Sequence, residues 1–376
     1  MGTGADADNS SAADRLCDEG YAHLEAGRFD EARSNLLRAL AIAPANSLAH
    51  YRLGLLCNDT GRPDEALRYF DATLNLQANN ARAHNNRGSA LQQLSRLPEA
   101  EAAFHKALEL DPKLAPPYVN LGHLLEQRGM REEAIGIYDR AIAQGLDRGV
   151  FLQYRAAASG QSPPASPESW VRETFDNFAS NFDAHLAKLK YAVPQELALR
   201  LSACTTDRLD ILDLGCGTGQ CGLVLAAHKR SLIGVDLSKK MLLQAGNHGV
   251  YDQLQLAEIR AFLRSAPENH FDAVIAADVF IYIGALDDVF RDTERVLRPG
   301  GWFLFSTEEQ NEQDYVLRES GRYAQSQAYV QGLAATRFRV LSADAITVRM
   351  ERETPLRGRL FVLQKPLAGE AMPERS

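Results

Sequence analysis

Glycines in the middle of the chain form the segment with the clearest chemical signal. Gly215, Gly217 and Gly219 alternate within the run DLGCGTG, which begins at Asp213 and closes an apolar stretch. Glycine lets a backbone approach a ligand where any Cβ would collide. A turn that binds a dinucleotide would have a further glycine at the position of Gln220. The run therefore predicts a cofactor-binding turn, and a nicotinamide cofactor is the weaker alternative.

Acidic residues follow at the ends of the next apolar runs. Asp236 ends the second run, Glu258 ends the third, and Asp278 lies in the motif AADVF within the fourth. The carboxyl ends of parallel strands meet at one edge of a sheet, where such folds bind ligands. An acid in the position of Asp236 accepts hydrogen bonds from the two hydroxyls of a ribose, whichever nucleoside cofactor carries it.

Alternating strand-like and helix-like runs are the elements that must position these residues. Apolar runs predict strands at residues 208–214, 231–238, 253–257, 270–283 and 302–308, with helical runs between most of them. Later segments predict a helix at 322–336 and a closing hairpin at 338–352 and 358–365. The alternation predicts an α/β domain with a Rossmann-like, doubly wound sheet of seven strands.

The first part of the chain repeats with a period of 34 residues. Small residues recur in two columns, at Gly20, Gly54, Gly88 and Gly122 and at Ala32, Ala66, Ala100 and Ala134. Large residues recur at Leu36, Phe70, Phe104 and Tyr138. Small residues let two helices approach, the large ones fill the space between hairpins, and Gly27, Gly61 and Gly129 suit the turns.

This period and pattern resemble the tetratricopeptide repeat, with four repeats at 13–46, 47–80, 81–114 and 115–148. The resemblance implies an all-α superhelix whose concave groove, lined by the first helix of each repeat, binds a protein or peptide partner or a second copy of the chain. Candidate groove residues placed by that resemblance are Tyr21, Tyr51, Arg52, Asn85, Asn86, Ser89, Asn120 and His123. An ordinary solvated surface is an equal alternative for them.

The join between the two halves is visible in composition. Residues 159–169, SGQSPPASPES, are rich in serine and proline and predict an extended linker. Residues 149–158 predict a helix that caps the repeats. The predicted domains are a repeat array at 13–148, a capping helix and linker at 149–169, and a second domain at 170–367.

The second domain resembles the class I S-adenosylmethionine-dependent methyltransferases, particularly those that act on small molecules. The resemblance rests on DLGCGTG, the acids at the strand ends, AADVF and LRPGG. With the repeats in front, the chain resembles bacterial predicted methyltransferases that carry tetratricopeptide repeats. The family implies S-adenosylmethionine as cofactor, with its methionine part at the glycine turn, its ribose on Asp236 and its adenine amino group on Glu258. The implied cofactor-binding residues are Asp213, Gly215, Cys216, Gly217, Gly219, Asp236, Leu237, Met241, Glu258, Ile259 and Asp278.

Aromatic and charged residues outside the turn are the candidates for contact with a methyl acceptor. Phe175, Phe178 and Phe182 recur at helical spacing, which predicts a helix packed on the core, whereas the family resemblance implies a lid over the cofactor. Candidate substrate residues are Phe182, Asp183, Tyr191, Tyr282, Arg322, Tyr323 and Tyr329, with structural packing as an equal alternative for each. Asp278 and Tyr282 are the candidates for catalysis, unless the acceptor ionises unaided.

Composition excludes several other classes of protein. A net charge of −8 over 376 residues argues against nucleic-acid binding through bulk positive charge. No apolar run approaches the ~20 residues that span a bilayer, and the polar, acidic start is unlike a secretion signal. Five cysteines without metal-ligand spacing favour a reduced cytoplasmic protein that has no metal site and no membrane partner.

Two classes of function remain open at this point. In the favoured one, the second domain methylates an unidentified small molecule and the repeats bind a protein. In the other, the repeats recruit a protein that the second domain methylates, or the chain is a scaffold that senses the cofactor. An NAD-dependent oxidoreductase is the least supported reading.

Overall fold

The computed structural model describes residues 3–179, 181–351 and 354–370. The described residues fall into two compact units, divided between Phe151 and Leu152. Among the described residues, no helix combines the length and the apolar character that crossing a membrane requires.

The first unit consists of helical hairpins. Its helices are α1 (Thr3–Glu25), α2 (Phe29–Ile42), α3 (Ser47–Asp59), α4 (Pro63–Leu76), α5 (Ala81–Gln93), α6 (Leu97–Leu110), α7 (Ala115–Gln127) and α8 (Arg131–Ala143). Each predicted repeat therefore forms one pair of helices. The four hairpins confirm the predicted helical array, although α1 begins before the expected start at residue 13.

Small residues set how closely the two helices of each hairpin approach. A Cβ added to Gly54 would lie 2.5 Å from the ring of Phe70, and one added to Gly122 would lie 2.3 Å from the ring of Tyr138. The turns between paired helices use positive φ angles, as at Gly61 with φ +70°. Ser95 takes the same conformation with φ +59° in the repeat that lacks a glycine there.

Amide side chains connect the first helices of neighbouring repeats. Asn86 Nδ2 donates to the Tyr51 hydroxyl at 2.9 Å, and Asn120 Nδ2 donates to Asn85 Oδ1 at 3.0 Å. Asn85 is buried. Part of the predicted groove surface is thus occupied with contacts between repeats, which the period alone could not show.

Helix α9 (Arg148–Ala158) begins in the first unit and continues in the second. Within the first unit, the ring of Phe151 packs 6.0 Å from that of Tyr118 and 6.4 Å from that of Tyr138. Its first turn therefore covers the apolar end of the last repeat.

The described residues of the second unit form a nine-stranded mixed sheet. The strands are β1 (Leu209–Leu214), β2 (Lys229–Asp236), β3 (Gln253–Leu256), β4 (Phe271–Ala276), β5 (Leu297–Gln310), β6 (Tyr315–Leu317), β7 (Tyr323–Ser326), β8 (Arg339–Glu351) and β9 (Thr354–Gln364). The order β3-β2-β1-β4-β5 is parallel; β9 then pairs antiparallel with β5, and β8 with β9.

The seven predicted strands are present as β1–β5, β8 and β9, and the structure adds the short hairpin of β6 and β7. Residues 322–336 were expected to be a helix, but only α17 (Gln327–Ala334) is helical and β7 precedes it. Tertiary hydrogen bonds override the local preference of residues 323–326 for a helix. The buried Gln325 amide donates to the carbonyls of Phe280 and Ile283. Such bonds between distant segments leave no periodic signal in the sequence.

Helices cover both faces of this sheet. They are α10 (Glu168–Phe178), α11 (Phe182–Lys188), α12 (Val193–Cys204), α13 (Gln220–Leu225), α14 (Lys239–Asn247), α15 (Ile259–Ser265) and α16 (Asp287–Val296), together with α17. One apolar cluster includes Phe271, Phe290 and Phe303, and another includes Ile211 and Leu197. These two cores hold the carboxyl ends of β1, β2 and β4 at a common edge.

Candidate cofactor and acceptor site

A cavity at this edge brings most of the predicted site residues together. Those that line it are Gly215, Cys216, Gly217, Asp236, Leu237, Glu258, Ile259, Asp278, Phe182, Tyr191, Tyr282 and Arg322. The predicted site residues that do not line this cavity are Asp213, Gly219, Met241, Asp183, Tyr323 and Tyr329. The cavity runs from the ends of β1 and β2 to helices α10 and α11.

The glycine turn and the end of β2 form one hydrogen-bonded unit. Gly217 N donates to Asp236 Oδ2 at 2.9 Å, and Ser238 N donates to Asp236 Oδ1 at 2.8 Å. Burial raises the pKa of Asp236, and the backbone donors oppose that shift. Since a carboxylate oxygen accepts more than one hydrogen bond, each oxygen retains capacity for a ligand hydroxyl.

The three glycines of the turn have different tasks. A Cβ on Gly215 would lie 2.6 Å from Val279, and one on Gly219 would lie 3.1 Å from the Cα of Ala245, so both positions serve close packing. At Gly217, with φ +54°, the nearest atom to an added Cβ is the ring of Phe182 at 3.9 Å. Gly217 is therefore the point at which the backbone is open to the cavity.

Asp213, at the start of the glycine run, is buried and does not line the cavity. Its Oδ2 accepts a hydrogen bond of 2.6 Å from the Tyr251 hydroxyl, and burial raises its pKa to about 7. The Tyr251 ring reaches it past Gly222 and Gly234, where an added Cβ would lie 2.5 Å and 2.8 Å from that ring. Sequence reasoning missed Tyr251, because it lies outside any motif. Met241 is likewise buried behind the turn.

Glu258 lies where the adenine end of the cofactor is expected. Its Oε2 accepts a hydrogen bond of 2.9 Å from Ala261 N and thereby caps α15, while Arg260 Nε donates to its Oε1 at 2.8 Å. The side chain is held in one orientation at the cavity wall.

Asp278 belongs to a buried network of charges. Its backbone has a positive φ of +56° directly after β4, and its Oδ2 accepts from Arg349 Nη1 at 3.0 Å. Arg349 also donates to Glu308 Oε1 at 2.6 Å, and Glu308 Oε2 accepts from Arg318 at 2.8 Å. Arg349 and Glu308 were not among the residues predicted from the sequence. An arginine between apolar neighbours in the strand run ITVRM is the signal that could have found the first.

An aromatic wall faces Asp278 across the cavity. The ring of Tyr282 packs 5.7 Å from Trp170 and 5.2 Å from Phe175, and Phe175 packs 5.9 Å from Phe182. Phe178 is 46% exposed. The expected single core helix was therefore wrong: α10 ends at Phe178, α11 begins at Phe182, and this stripe lines the cavity.

Two hydrogen bonds connect α10 and α11 to the loops that follow β1 and β2. Thr218 Oγ1 donates to Asp183 Oδ1 at 2.5 Å, and Ser238 Oγ donates to Asp176 Oδ1 at 2.5 Å. Asp183, predicted to contact substrate, instead connects α11 to the glycine turn. Asp176 connects α10 to the start of α14 in the same way.

Two predicted substrate residues are structural. The Tyr329 hydroxyl donates to Asp287 Oδ2 at 2.8 Å and accepts from Leu286 N at 2.7 Å, which secures the start of α16. Tyr323 is fully buried, and its ring lies against Gly284. Their position after the fifth strand in sequence was not enough to place them at the cavity.

The serine- and proline-rich segment forms part of the cavity wall. Ser166 N donates to the carbonyl of Tyr282 at 3.0 Å, and Leu317 N donates to Ser162 Oγ at 2.9 Å. Pro164 O accepts a hydrogen bond of 3.0 Å from Gly284 N. The segment is extended as expected, but it is bonded to the second unit along its length.

Comparison with known proteins agrees with this architecture. Residues 212–305 match the family described as Methyltransferase domain. Residues 17–80, 81–114 and 118–149 match families described as Tetratricopeptide repeat.

Several curated proteins are similar to the second unit. The Biotin biosynthesis bifunctional protein BioHC of Saccharophagus degradans is 34% identical over 140 residues, which is 36% of this chain and 24% of that protein. The Demethylmenaquinone methyltransferase of Symbiobacterium thermophilum is 32% identical over 39% of this chain and 63% of that protein. The Ubiquinone biosynthesis O-methyltransferase of Chromobacterium violaceum is 30% identical over 30% of this chain and 49% of that protein. The chain spans less than two thirds of the length of each.

Solved structures are similar at lower identity. A S-adenosylmethionine-dependent methyltransferase from Methanosarcina mazei is 19% identical with a TM-score of 0.38, covering 45% of this chain and 97% of that structure. One from Mesorhizobium loti is 20% identical with a TM-score of 0.38, and the match covers 46% of this chain and 98% of that structure.

The chain therefore combines regions that match tetratricopeptide repeats with a region that matches a methyltransferase domain. Both predicted halves are confirmed. The roles of individual site residues remain predictions.

Proposed function

We propose that the second unit binds S-adenosylmethionine at the glycine turn and transfers its methyl group to a small molecule. The observation that carries this proposal is the joint engagement of Gly217 N and Ser238 N by Asp236. That arrangement fixes a carboxylate at the cavity with both oxygens able to accept from ribose hydroxyls. When bound, S-adenosylmethionine supplies a methyl group already activated by its positively charged sulfur.

The residues at the cavity fit this cofactor. Gly217 leaves open the space that a side chain would fill, beside the ring of Phe182. Asp236 would hold the ribose, and Glu258 and Ile259 would hold the adenine. Leu237 and Cys216 would contact the cofactor from the two adjoining loops, because both line the same cavity.

The protein's main contribution to transfer is positioning. Phe175, Phe182 and Tyr282 exclude water from the acceptor side and hold an acceptor in line with the bond that breaks. Alignment of this kind can supply roughly 7–11 kcal/mol of rate enhancement. Asp278 was predicted as a base, but its pairing with Arg349 favours a positioning role, because an ion-paired carboxylate is a weaker proton acceptor.

A small-molecule acceptor is supported by the largely apolar lining of the cavity and by the names of the similar proteins. The Demethylmenaquinone and Ubiquinone biosynthesis methyltransferases are named for small molecules. The repeats would bind a protein or peptide partner through the first helices of the hairpins. Recruitment of a protein for methylation is the alternative role for the same array.

Two measurements test the proposal. Calorimetry with S-adenosylhomocysteine should show binding to the full chain, and titration with NAD should not. Incubation with methyl-labelled S-adenosylmethionine and a cell extract should then place label in small molecules. Tight binding of NAD alone would exclude the methyltransferase assignment, and label confined to macromolecules would favour the recruitment alternative.

A further inference from the structure

The acceptor end of the cavity combines apolar walls with a guanidinium group. Its apolar lining is formed by Val171, Phe175, Phe178, Leu186, Leu189 and Ile281. Arg322 is half-buried in the same cavity and hydrogen-bonds to Tyr282. An arginine and a phenol side by side offer several donors to one anionic group.

The backbone around Arg322 is firmly held. Gly321 N donates to Arg318 O at 2.8 Å, and Arg318 N donates to Arg322 O at 2.9 Å, which closes the turn between β6 and β7. The buried Gln153 amide donates to Gly321 O at 2.9 Å. The turn between β6 and β7 therefore fixes the backbone of Arg322, whose side chain lines the cavity.

The titratable groups of the cavity are poorly suited to remove a proton from an acceptor. Asp278 is paired with Arg349. Burial raises the pKa of Tyr191, Tyr282, Cys216 and Cys221, so these groups keep their protons at neutral pH. Asp236 and Glu258 lie at the opposite end.

Two further titratable residues, Glu168 and His185, belong to α10 and α11 and are exposed. Among the described residues that line the cavity, no enclosed group is therefore placed to act as a base at the acceptor end.

We propose that the acceptor is a carboxylic acid with an apolar chain or ring, and that its carboxylate binds Arg322 and Tyr282 and is itself methylated to a methyl ester. This inference rests on the proposed methyl transfer. A carboxylate is ionised at neutral pH, so it needs no base, whereas an alcohol or an ammonium group has to lose a proton first.

The step balances without a proton. A lone pair of a carboxylate oxygen forms the new C–O bond, the bond between carbon and the sulfonium sulfur breaks, and its electron pair stays on sulfur. The negative charge of the acceptor and the positive charge of the sulfonium cancel. The products are a neutral ester and a neutral thioether group.

The first test measures binding in the full chain saturated with S-adenosylhomocysteine. The probes are 3-phenylpropanoate and 3-phenylpropan-1-ol, which differ only in the acid group. The dissociation constant of the acid should be at least about 10-fold lower than that of the alcohol, because the acid accepts a charged hydrogen bond. Arg322→Gln should remove that preference, while Arg357→Gln, at an exposed arginine of β9, should retain it. No preference in the wild type, or a preference that survives Arg322→Gln, would overturn the inference.

The second test examines the product. The full chain is incubated with methyl-labelled S-adenosylmethionine and a deproteinised bacterial extract, and the products are treated with alkali. Methyl esters release their label as volatile methanol, so most of the label should become volatile. Alkali-stable label, or none, in a protein that binds S-adenosylhomocysteine would overturn this inference alone. Failure to bind S-adenosylhomocysteine would overturn the proposed function as well.

Discussion

Arg349 Nη1 lies 3.0 Å from Asp278 Oδ2, and the same guanidinium places Nη2 2.6 Å from Glu308 Oε1. One arginine of the closing hairpin therefore joins a carboxylate at the cavity to a carboxylate in the core. Arg349 and Glu308 are almost fully buried. The geometry of the acceptor end depends on a strand that is distant in sequence from every cofactor motif.

Removal of Arg349 should destabilise the second unit more than neutralisation of Asp278. Arg349→Met removes the guanidinium that Asp278 and Glu308 share inside the protein, and loss of such a buried ion-pair partner costs about 3–5 kcal/mol. Asp278→Asn leaves Arg349 paired with Glu308, so the loss should be smaller. Denaturant unfolding monitored by tryptophan fluorescence measures this, because both tryptophans, Trp170 and Trp302, lie in the second unit. The reverse ranking would contradict this account of the network.

Asp278→Asn should also lower transfer more than it lowers cofactor affinity. The altered side chain no longer attracts Arg349, so the acceptor end loses its geometry while Asp236 and the glycine turn are unchanged. Turnover with labelled cofactor, compared with calorimetric affinity for S-adenosylhomocysteine, separates the two effects. Equal losses in both would place Asp278 at the cofactor instead.

Asp236→Ala should weaken binding of S-adenosylhomocysteine about 10- to 150-fold. The substitution removes a charged acceptor, which contributes on the order of 1.5–3 kcal/mol. It also leaves Gly217 N and Ser238 N without their acceptor. The matched control is Asp207→Ala, at an exposed aspartate before β1, which should bind like the wild type. Unchanged affinity in Asp236→Ala would remove the ribose-binding role.

Asp213 should make the second unit less stable as the pH rises from about 4 to 7. Burial raises the pKa of Asp213 from 3.8 to about 7, so in this window the folded protein holds a proton that the unfolded chain has lost. Stability falls as pH rises through the window and stays low above it, by up to about 4 kcal/mol. Asp213→Asn cannot bind this proton, so its stability relative to that of the wild type should rise between about pH 4 and pH 7 and level off above pH 7. Parallel pH profiles for the two proteins would show that Asp213 ionises normally.

The sequence predicts best where a residue's task is local. The glycine run, the acids at strand ends and the columns of small residues each act on neighbours within one turn or one hairpin, and the structure places most of them as expected. Tyr251, Arg349 and the β6–β7 hairpin depend on contacts between distant segments. Their partners are set by the packing of the whole sheet, which no spacing in the sequence records.

The aromatic residues of α10 and α11 are a second case in which spacing in the sequence does not predict the contacts that form. Helical spacing of Phe175, Phe178 and Phe182 is compatible with both a core helix and a lid. The helix breaks between Phe178 and Phe182, and Asp176 and Asp183 accept hydrogen bonds from Ser238 and Thr218, so the stripe is not one continuous helix face and a lid stays the hypothesis that these contacts favour. Periodicity specifies a face of a helix but not what that face covers.

A fragment that begins at Leu152 should bind S-adenosylhomocysteine as the full chain does, whereas one that begins at Trp170 should not. The longer fragment keeps the bonds from Gln153 to Gly321 and from Leu317 to Ser162, together with the segment that borders Tyr282. Calorimetry on the two purified fragments compares them directly. Full affinity in the shorter fragment would show that residues 152–169 are dispensable for the cavity.

Two glycines of the last hairpin should respond in opposite directions to alanine. Gly122→Ala places a Cβ 2.3 Å from the Tyr138 ring, so the hairpin must open, at a cost of about 1–3 kcal/mol. Gly136 lies inside α8 with nothing within 4 Å of an added Cβ, so Gly136→Ala should stabilise the array by up to about 1 kcal/mol. Loss of helical circular dichroism in denaturant measures the array, while tryptophan fluorescence should show the second unit unchanged in both variants. Equal stability of the two variants would mean that the small-residue column does not determine the approach of the helices.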